Sequence, residues 1–291
     1  MTISASMVKE LRERTGAGMM DCKNALVKNS GNFEKAIEYL RKTGISKAEK
    51  KSGRVAAEGA IGIQQDSNKT VLLEVNCETD FVANDENFKK FVEQISKIAL
   101  KQEVSSVEDL LVSRLNDKSI KEEANELSVK VGEKIDLRRL EVLMNGIDSV
   151  STYLHGGKIG AAVMFNGSNV EAARDIAMHI AATAPAALDE TKIPKALLER
   201  ERNIYIGQAE GSGKPKEIVE KMIAGKIKKF IRENTLVGQA FVKDQDLTVG
   251  DFAKSKELVL VSFTRMAVGD GIEKKTEDFA EEVAKQVGNK N

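Results

Sequence analysis

A pattern of β-prone segments followed by an amphipathic helix occurs twice in the chain and restricts the fold more than any other feature. In the first copy, apolar runs at residues 60–63 and 70–76 are joined by a turn, and apolar residues then recur at helical spacing over residues 87–100. In the second copy, residues 153–166 predict a strand or hairpin, and residues 169–183 predict a helix. The repeat predicts an α+β fold whose core contains two related subdomains with small antiparallel sheets.

The amino-terminal residues predict a module of three short helices. Ser4 is the predicted N-cap of the first helix, the second helix covers residues 19–28, and the third, capped by Asn32, is predicted to end at Gly44. Residues 45–54 are basic and contain few large apolar side chains, so they predict an exposed linker or a helical extension.

The remaining segments predict connections between the subdomains and additions to them. Helical residues 127–131 and strand-like residues 135–143 connect the two copies of the pattern. Apolar spacings of three and four predict a helical hairpin over residues 193–231. Residues 258–263 predict a buried strand, and residues 278–287 predict a final amphipathic helix.

These patterns divide the chain into consecutive parts. The predicted parts are the amino-terminal three-helix domain and linker (1–54), the core N-subdomain (55–146), the core C-subdomain (147–188 and 232–265), the inserted helical hairpin (189–231) and the carboxy-terminal module with its helix (266–291).

The composition excludes several classes of function. The 45 basic and 45 acidic residues give zero net charge, which argues against a generally basic nucleic-acid binder. Two histidines and two cysteines are too few for most imidazole or thiolate metal sites, so we expect no metal, no cofactor and no enzymatic chemistry. No apolar run approaches the roughly 20 residues that span a bilayer. We therefore expect a cytoplasmic protein with no membrane contact and with reduced cysteines.

The balanced total hides two segments of opposite charge. Residues 1–54 contain twelve basic and six acidic side chains, whereas residues 74–110 contain nine acidic and four basic ones. Such a separation suits docking on a partner with a patterned surface, although two solvated faces explain it equally well.

Two glycine motifs and the two histidines are weaker candidates for function. Gly16-Ala17-Gly18 lacks the third glycine of a dinucleotide site and predicts helix capping, while residues 211–214 lack the Ser or Thr that follows the lysine of a phosphate loop. His179 is predicted to be a packing residue. His155 precedes two glycines and fits either a contact residue or a structural turn histidine.

The stretch Thr79-Asp80-Phe81-Val82 is the most informative one. One interpretation is a turn that leads into a helix, with Thr79 or Asp80 as a cap and Phe81 in the core. The other interpretation is an apolar wedge with an adjacent carboxylate, presented to a partner on a loop between a strand and a helix. Local chemistry alone favours the first interpretation.

Several motifs in order along the chain resemble the bacterial elongation factor Ts family. They are RERTGAGMMDCK from residue 12, NCETDFV from residue 76, HGGKIG from residue 155, SGKPKE from residue 212 and VGDGIE from residue 268. The resemblance covers nearly the whole chain. It implies an amino-terminal module similar to a ubiquitin-associated (UBA) domain and a helical hairpin that forms a coiled coil.

The resemblance also implies a function. Members of the family are guanine nucleotide exchange factors for the GTPase elongation factor Tu; they bind its GDP-bound or nucleotide-free form, perturb the Mg²⁺ site and release GDP. The implied residues for Mg²⁺ dislocation are Thr79, Asp80, Phe81 and Val82, and the other implied partner contacts are Lys23, Val131, Gly132 and His155. No direct nucleic-acid contact is implied. The complex with elongation factor Tu is a heterodimer, and the resemblance allows two such complexes to associate. The alternative is a ribosome- or RNA-associated accessory protein, whose affinity would fall steeply with salt.

Overall fold

Helices and short antiparallel strands alternate along the chain in a computed structural model, which describes residues 3–146, 148–210 and 215–273, with the backbone alone for residues 45–50 and 210. The helices are α1 (Ala5–Thr15), α2 (Met19–Lys28), α3 (Phe33–Lys50), α4 (Asp80–Asn84), α5 (Glu86–Lys101), α6 (Val107–Val112), α7 (Ile120–Val131), α8 (Val170–Thr183), α9 (Lys195–Glu210), α10 (Lys216–Asn234) and α11 (Val249–Ser255). The strands are β1 (Glu58–Gln65), β2 (Lys69–Cys77), β3 (Arg114–Leu115), β4 (Lys118–Ser119), β5 (Asp136–Met144), β6 (Ser149–His155), β7 (Ile159–Asn166), β8 (Ala240–Phe241), β9 (Asp244–Thr248) and β10 (Val259–Ala267). The predicted α+β class is confirmed.

Helices α1, α2 and α3 form the amino-terminal bundle. The side chain of Ser4 accepts the N–H of Met7 at 3.2 Å, and Gly16, at a φ of 67°, ends α1 in the left-handed conformation that glycine adopts without strain. The bundle encloses its own small core, which includes buried Leu11, Cys22 and Leu26. The side chain of Asn32 accepts the N–H of Lys35 at 2.9 Å, so the predicted caps and the predicted second helix are confirmed.

The third helix continues past its predicted end at Gly44 and reaches Lys50. Gly44 is buried against α7, where an added Cβ would lie 3.3 Å from the Cγ2 of Val129. The glycine therefore lets α3 approach α7 closely, and it does not end the helix. An ion pair between Arg41 and Glu122, at 2.7 Å, also joins the bundle to the core.

The first sheet has the order β1-β2-β5, and all of its pairings are antiparallel. Strand β2 lies in the centre and is buried over almost its whole length. One face of β2 carries Val71, Leu73 and Val75, which pack with Phe88 and Ile95 of α5 into the largest buried cluster of the described residues. This hairpin followed by a helix matches the first predicted copy of the pattern.

The second sheet has the order β10-β7-β6 and repeats the arrangement of the first. The second strand of the hairpin, β7, again lies in the centre between antiparallel neighbours, and α8, capped by Asn169, packs on one face. The predicted duplication is confirmed. The prediction that residues 258–263 form a buried strand is wrong in its burial, because β10 is an edge strand that leaves Val259 64% exposed.

The two sheets pack against each other through apolar side chains. Ile61 and Leu72 of the first sheet contact Val150, Ala162 and Met266 of the second. The N–H of Ile61 also donates to the carbonyl oxygen of Gly157 at 2.7 Å. The turn between β6 and β7 is therefore held against β1.

A group of charges that we call the Glu74 clasp connects the first sheet to the segment after β10. The side chain of Glu74 is fully buried; its carboxylate pairs with Arg138 at 3.1 Å and with Arg139, and it accepts the N–H of Gly269 at 2.8 Å. The same arginines donate to the carbonyl oxygens of Asp270 at 2.6 Å and of Ala267 at 2.8 Å. Every polar atom of this carboxylate therefore has a partner, as a buried charge requires.

Helices α9 and α10 form the predicted helical hairpin and pack against each other. Lys226 of α10 donates to the side chain of Gln208 at 2.8 Å and lies over the ring of Tyr205. The turn at 211–214 and the predicted helix at 278–287 lie outside the described residues. The domain boundaries and the similarity to a UBA domain stay predictions.

No helix within residues 3–146, 148–210 and 215–273 is long and apolar enough to cross a membrane. Cys22 and Cys77 are both buried and are not bridged to each other; their reduced state stays a prediction.

Candidate functional site

The stretch from Cys77 to Asp85 contains one short helix, α4, where the sequence predicted a loop. Thr79 is its N-cap, because its hydroxyl oxygen accepts the N–H of Val82 at 3.4 Å. Asp85 ends α4 and is at the same time the N-cap of α5, with its carboxylate accepting the N–H groups of Asn87 and Phe88. Caps at both ends therefore hold a helix that is too short to be stable alone.

The side chains of α4 divide between the core and the surface. Val82 and Ala83 are buried in the cluster around α5, whereas Phe81 is 85% exposed, more than any other large apolar residue of the described chain. Asp80 lies next to it and is also exposed. The interpretation that places Phe81 in the core is therefore wrong in that respect, while its prediction of Thr79 or Asp80 as a cap is confirmed for Thr79.

Glu133 lies in the turn between α7 and β5 and binds the residues at the beginning of α4. Its carboxylate accepts the N–H groups of Glu78 and Thr79, both at 3.0 Å, and the hydroxyl of Thr79 at 2.6 Å. Glu78 in turn accepts the N–H of Lys134 at 2.6 Å and pairs with Arg54. Sequence reasoning missed Glu133, because no local pattern relates it to a turn 54 residues earlier.

The thiol of Cys77 lies beneath this turn and donates to the carbonyl oxygen of Thr79 at 3.2 Å. Burial, together with the charges of Glu133 and Glu58, raises the pKa of Cys77 to about 12. The side chain is therefore a neutral packing group at physiological pH. Within the part of the chain that the structure describes, no cluster of His, Cys, Asp and Glu could hold a metal ion.

Val131 and Gly132 directly precede Glu133, whose carboxylate binds the residues at the start of α4. Gly132 ends α7 at a φ of 83°, which turns the chain towards the Thr79 backbone. The structure therefore brings together these two predicted contacts and the predicted Mg²⁺-dislocation residues.

His155 ends β6, and its neighbours Leu154 and Gly156 line a groove that α4 also lines. The groove, of about 260 Å³, is lined by Ala83 and Asn84 of α4 and by Leu154 and Lys158 near His155. His155 itself is exposed and lies 3.3 Å from the hydroxyl of Tyr153.

Lys158, in the same turn as His155, interacts with acidic residues on and near α4. The pKa of Lys158 is raised by its hydrogen bond to Glu58 and, to a smaller extent, by the charge of Asp80. The other histidine, His179, is buried and bonded to Gln239 at 2.9 Å, which confirms the predicted packing role.

Lys23 is the predicted contact that lies in a different part of the molecule. It is exposed on α2 of the amino-terminal bundle, which carries Met19 and Met20 as exposed apolar neighbours. The predicted contacts therefore form two surfaces, one on the bundle and one around α4 and the groove.

Known proteins are similar to this chain over nearly its whole length. Elongation factor Ts of Thioalkalivibrio sulfidiphilus is 50% identical over 289 residues, which is 98% of this chain and 99% of that protein. Elongation factor Ts of Pseudomonas fluorescens is 51% identical in an alignment that covers 98% of this chain and 97% of that protein. A family model described as elongation factor TS matches residues 78–270.

The chain belongs to the elongation factor Ts family. The match to the family model contains α4, Val131, Gly132 and His155, whereas Lys23 lies outside it but within the stretch shared with the full-length relatives. An elongation factor of this family is a protein of translation elongation, and the resemblance stated from the motifs is confirmed. The roles of the individual residues stay predictions.

Proposed function

We propose that this protein is a guanine nucleotide exchange factor for elongation factor Tu. It binds the GDP-bound GTPase, Phe81 and Asp80 enter between two helices of the partner's nucleotide-binding domain, and the Mg²⁺ site there is displaced. GDP then leaves and GTP binds. No covalent bond forms or breaks in this protein, so it is not an enzyme in the chemical sense. Its place of action is the cytoplasm, with its partner.

The observation that supports this proposal most strongly is the exposure of Phe81 on a helix held at both ends. Burying a phenylalanine side chain contributes roughly 1.5–3 kcal/mol, and a free protein that leaves this side chain 85% exposed keeps that free energy available for a partner. The caps of α4 order the backbone before binding, so less entropy is lost on association.

Loss of Mg²⁺ explains how an apolar wedge would release a charged nucleotide. The cation neutralises the phosphate oxygens of a bound nucleotide and is the largest local charge in such a site. A side chain that moves the helix carrying the cation's ligands therefore weakens GDP binding without touching GDP. Asp80, beside Phe81, adds orientation and polar contacts more than affinity.

The two predicted contact surfaces fit a partner with several domains. We propose that the amino-terminal bundle, with Lys23, docks on the nucleotide-binding domain of elongation factor Tu. Val131 and Gly132 lie beside the entering Phe81, while His155 and the second sheet face the partner's third domain. The excess of basic residues in the bundle and of acidic residues around α4 supports docking in one orientation.

Linkage predicts a reciprocal effect of GDP on the complex. If this protein weakens GDP binding by some factor, GDP with Mg²⁺ weakens the binding of this protein by the same factor. We therefore expect immobilised protein to capture elongation factor Tu from purified components and to release it when GDP and Mg²⁺ are added together. The amount of eluted partner measures the effect.

Two controls distinguish this result from other causes of release. GDP with a chelator in place of Mg²⁺ is expected to elute less partner, because the cation is part of what the complex excludes. An RNA-binding accessory protein would instead retain RNA and lose it between 50 and 200 mM salt. If the partner is retained in the presence of excess GDP and Mg²⁺, the proposed exchange activity is contradicted.

A further inference from the structure

The carboxylate of Glu133 accepts three hydrogen bonds from the residues at the start of α4. The two backbone N–H groups of Glu78 and Thr79 converge on one oxygen, and the hydroxyl of Thr79 donates to the other. Because the hydroxyl of Thr79 donates its proton to Glu133, the lone pairs of the hydroxyl oxygen remain free to accept the N–H of Val82. The cap of α4 is therefore oriented by a residue from another part of the fold.

The bond between the two turns is reciprocal. Glu78 precedes Thr79 and accepts the N–H of Lys134, the residue that follows Glu133, at 2.6 Å. Ser128 of α7 donates to the carbonyl oxygen of Glu133 and so ties the Glu133 turn to its own helix. The turn before α4 and the turn before β5 are thus joined in both directions.

Such a connection matters because α4 has only five residues. Isolated helices of this length do not form in water, so the conformation that presents Phe81 depends on the caps and on the buried Val82 and Ala83. Without Glu133, the N–H groups of Glu78 and Thr79 lose their acceptors, and the first turn of α4 becomes free to reorient. Binding would then have to order this backbone again.

We propose that Glu133 is a positioning residue for nucleotide exchange, which acts on the partner only through the direction of Phe81. This inference rests on the proposed function and adds to it a residue that need not touch elongation factor Tu. The Mg²⁺-dislocating action is therefore a property of two turns held together by Glu133, and not of the stretch 79–82 alone.

The test uses full-length Glu133→Ala and Glu133→Gln proteins and the release of fluorescent GDP from elongation factor Tu. We expect Glu133→Ala to lower the maximal release rate about fivefold to thirtyfold, as expected for one additional residue whose backbone must be ordered. The half-saturating concentration should change less, because the amino-terminal bundle still docks. Glu133→Gln retains one carbonyl acceptor and should restore most of the rate.

A double-mutant cycle with Phe81→Ala tests whether the effect passes through Phe81. In the Phe81→Ala protein, Glu133→Ala is expected to have little further effect on release, since there is no wedge left to position. An equal loss of rate in both backgrounds would overturn the proposal. Glu141→Gln, an exposed carboxylate further along β5, is the matched control and should leave the rate unchanged.

Hydrogen exchange separates this proposal from the proposed function. The N–H groups of Ala83 and Asp85, which are bonded within α4, should exchange faster in Glu133→Ala, while those in the middle of α5 should not. Unchanged exchange in α4 overturns the positioning role even if wild-type protein releases GDP. Wild-type protein that fails to release GDP overturns the proposed function, and with it any role of Glu133 in exchange.

Discussion

Replacing Phe81 with alanine is expected to slow the release of labelled GDP from elongation factor Tu about tenfold to a hundredfold. The estimate follows from the roughly 1.5–3 kcal/mol gained when a phenylalanine side chain is buried, at about 1.4 kcal/mol per factor of ten. The fold should remain intact, because an 85% exposed side chain contributes little to the core. Stopped-flow fluorescence measures the release, and a thermal melt measures the stability.

A matched control is available on α6. Val112 is 75% exposed and lies outside both predicted contact surfaces, so Val112→Ala should change neither release nor melting temperature. Two results would refute the wedge: release by Phe81→Ala that equals wild type at saturating concentration, or loss of the folded state in this variant. The first would leave the bundle surface as the main determinant of exchange.

Removing the carboxylate of the Glu74 clasp is expected to cost about 3 kcal/mol of unfolding free energy at pH 7. Glu74→Ala leaves Arg138, Arg139 and the N–H of Gly269 without their shared acceptor. Breaking a buried ion pair from one side typically costs about 3–5 kcal/mol, and the partial exposure of both arginines places this case at the lower end. Urea denaturation of both proteins measures the difference.

The effect of Glu74 should also depend on pH in a defined direction. Burial raises the pKa of Glu74, but the Gly269 N–H and the two arginines outweigh burial, so the pKa is lowered overall. A carboxyl group with a lowered folded-state pKa stabilises the fold fully above its unfolded pKa of about 4.3 and loses this effect as the pH falls through the folded value. The stability difference between wild type and Glu74→Gln, which mimics the neutral carboxyl group, should therefore shrink below about pH 4.3.

An exposed ion pair provides the comparison for this experiment. Glu93 pairs with Lys97 one turn later on α5, and both side chains are at least half exposed. Exposed helical pairs contribute about 0.3–0.5 kcal/mol, so Glu93→Ala should hardly change stability. If Glu74→Ala is no more destabilising than Glu93→Ala, the clasp is not a stabilising element of the fold.

The sequence predicted most of the elements whose signals are local. The N-caps Ser4 and Asn32, the glycine after α1 and the alternation of hairpins with helices depend on residues within a few positions of each other. Their structure could therefore be predicted from chain chemistry alone. The duplicated topology followed from the same signals, because each hairpin precedes its own helix.

The errors occurred where a residue's environment is set by distant parts of the chain. Gly44 was expected to end α3, but a neighbouring helix favours a small residue at that position. The apolar residues of β10 predicted a buried strand, yet burial depends on whether a second neighbour covers the strand, and local composition does not contain that information. A single turn such as α4 is likewise too short to produce a periodic signal.

The candidate site could be predicted in part. Thr79 and Asp80 predicted a cap, but whether Phe81 points inward or outward depends on which face of α4 packs on α5, and the Glu133 that binds the cap lies far along the chain. The sequence around Glu74 does contain a signal for the buried ion pair. Glu74 is a carboxylate inside the apolar run of β2, and a strand with two consecutive arginines, Arg138 and Arg139, follows later. A charge at such a position requires a partner of opposite sign.

The Glu74 clasp has a consequence for how the protein is made. The bond from Gly269 to Glu74 joins residues 195 positions apart. At about 5–20 residues per second, a ribosome adds Gly269 roughly 10 to 40 seconds after Glu74. The first sheet, with Arg138 and Arg139, can form early in that interval, but the buried carboxylate has no third donor until Gly269 has been synthesised. Closure of the clasp therefore requires a chain that has been synthesised at least as far as Gly269.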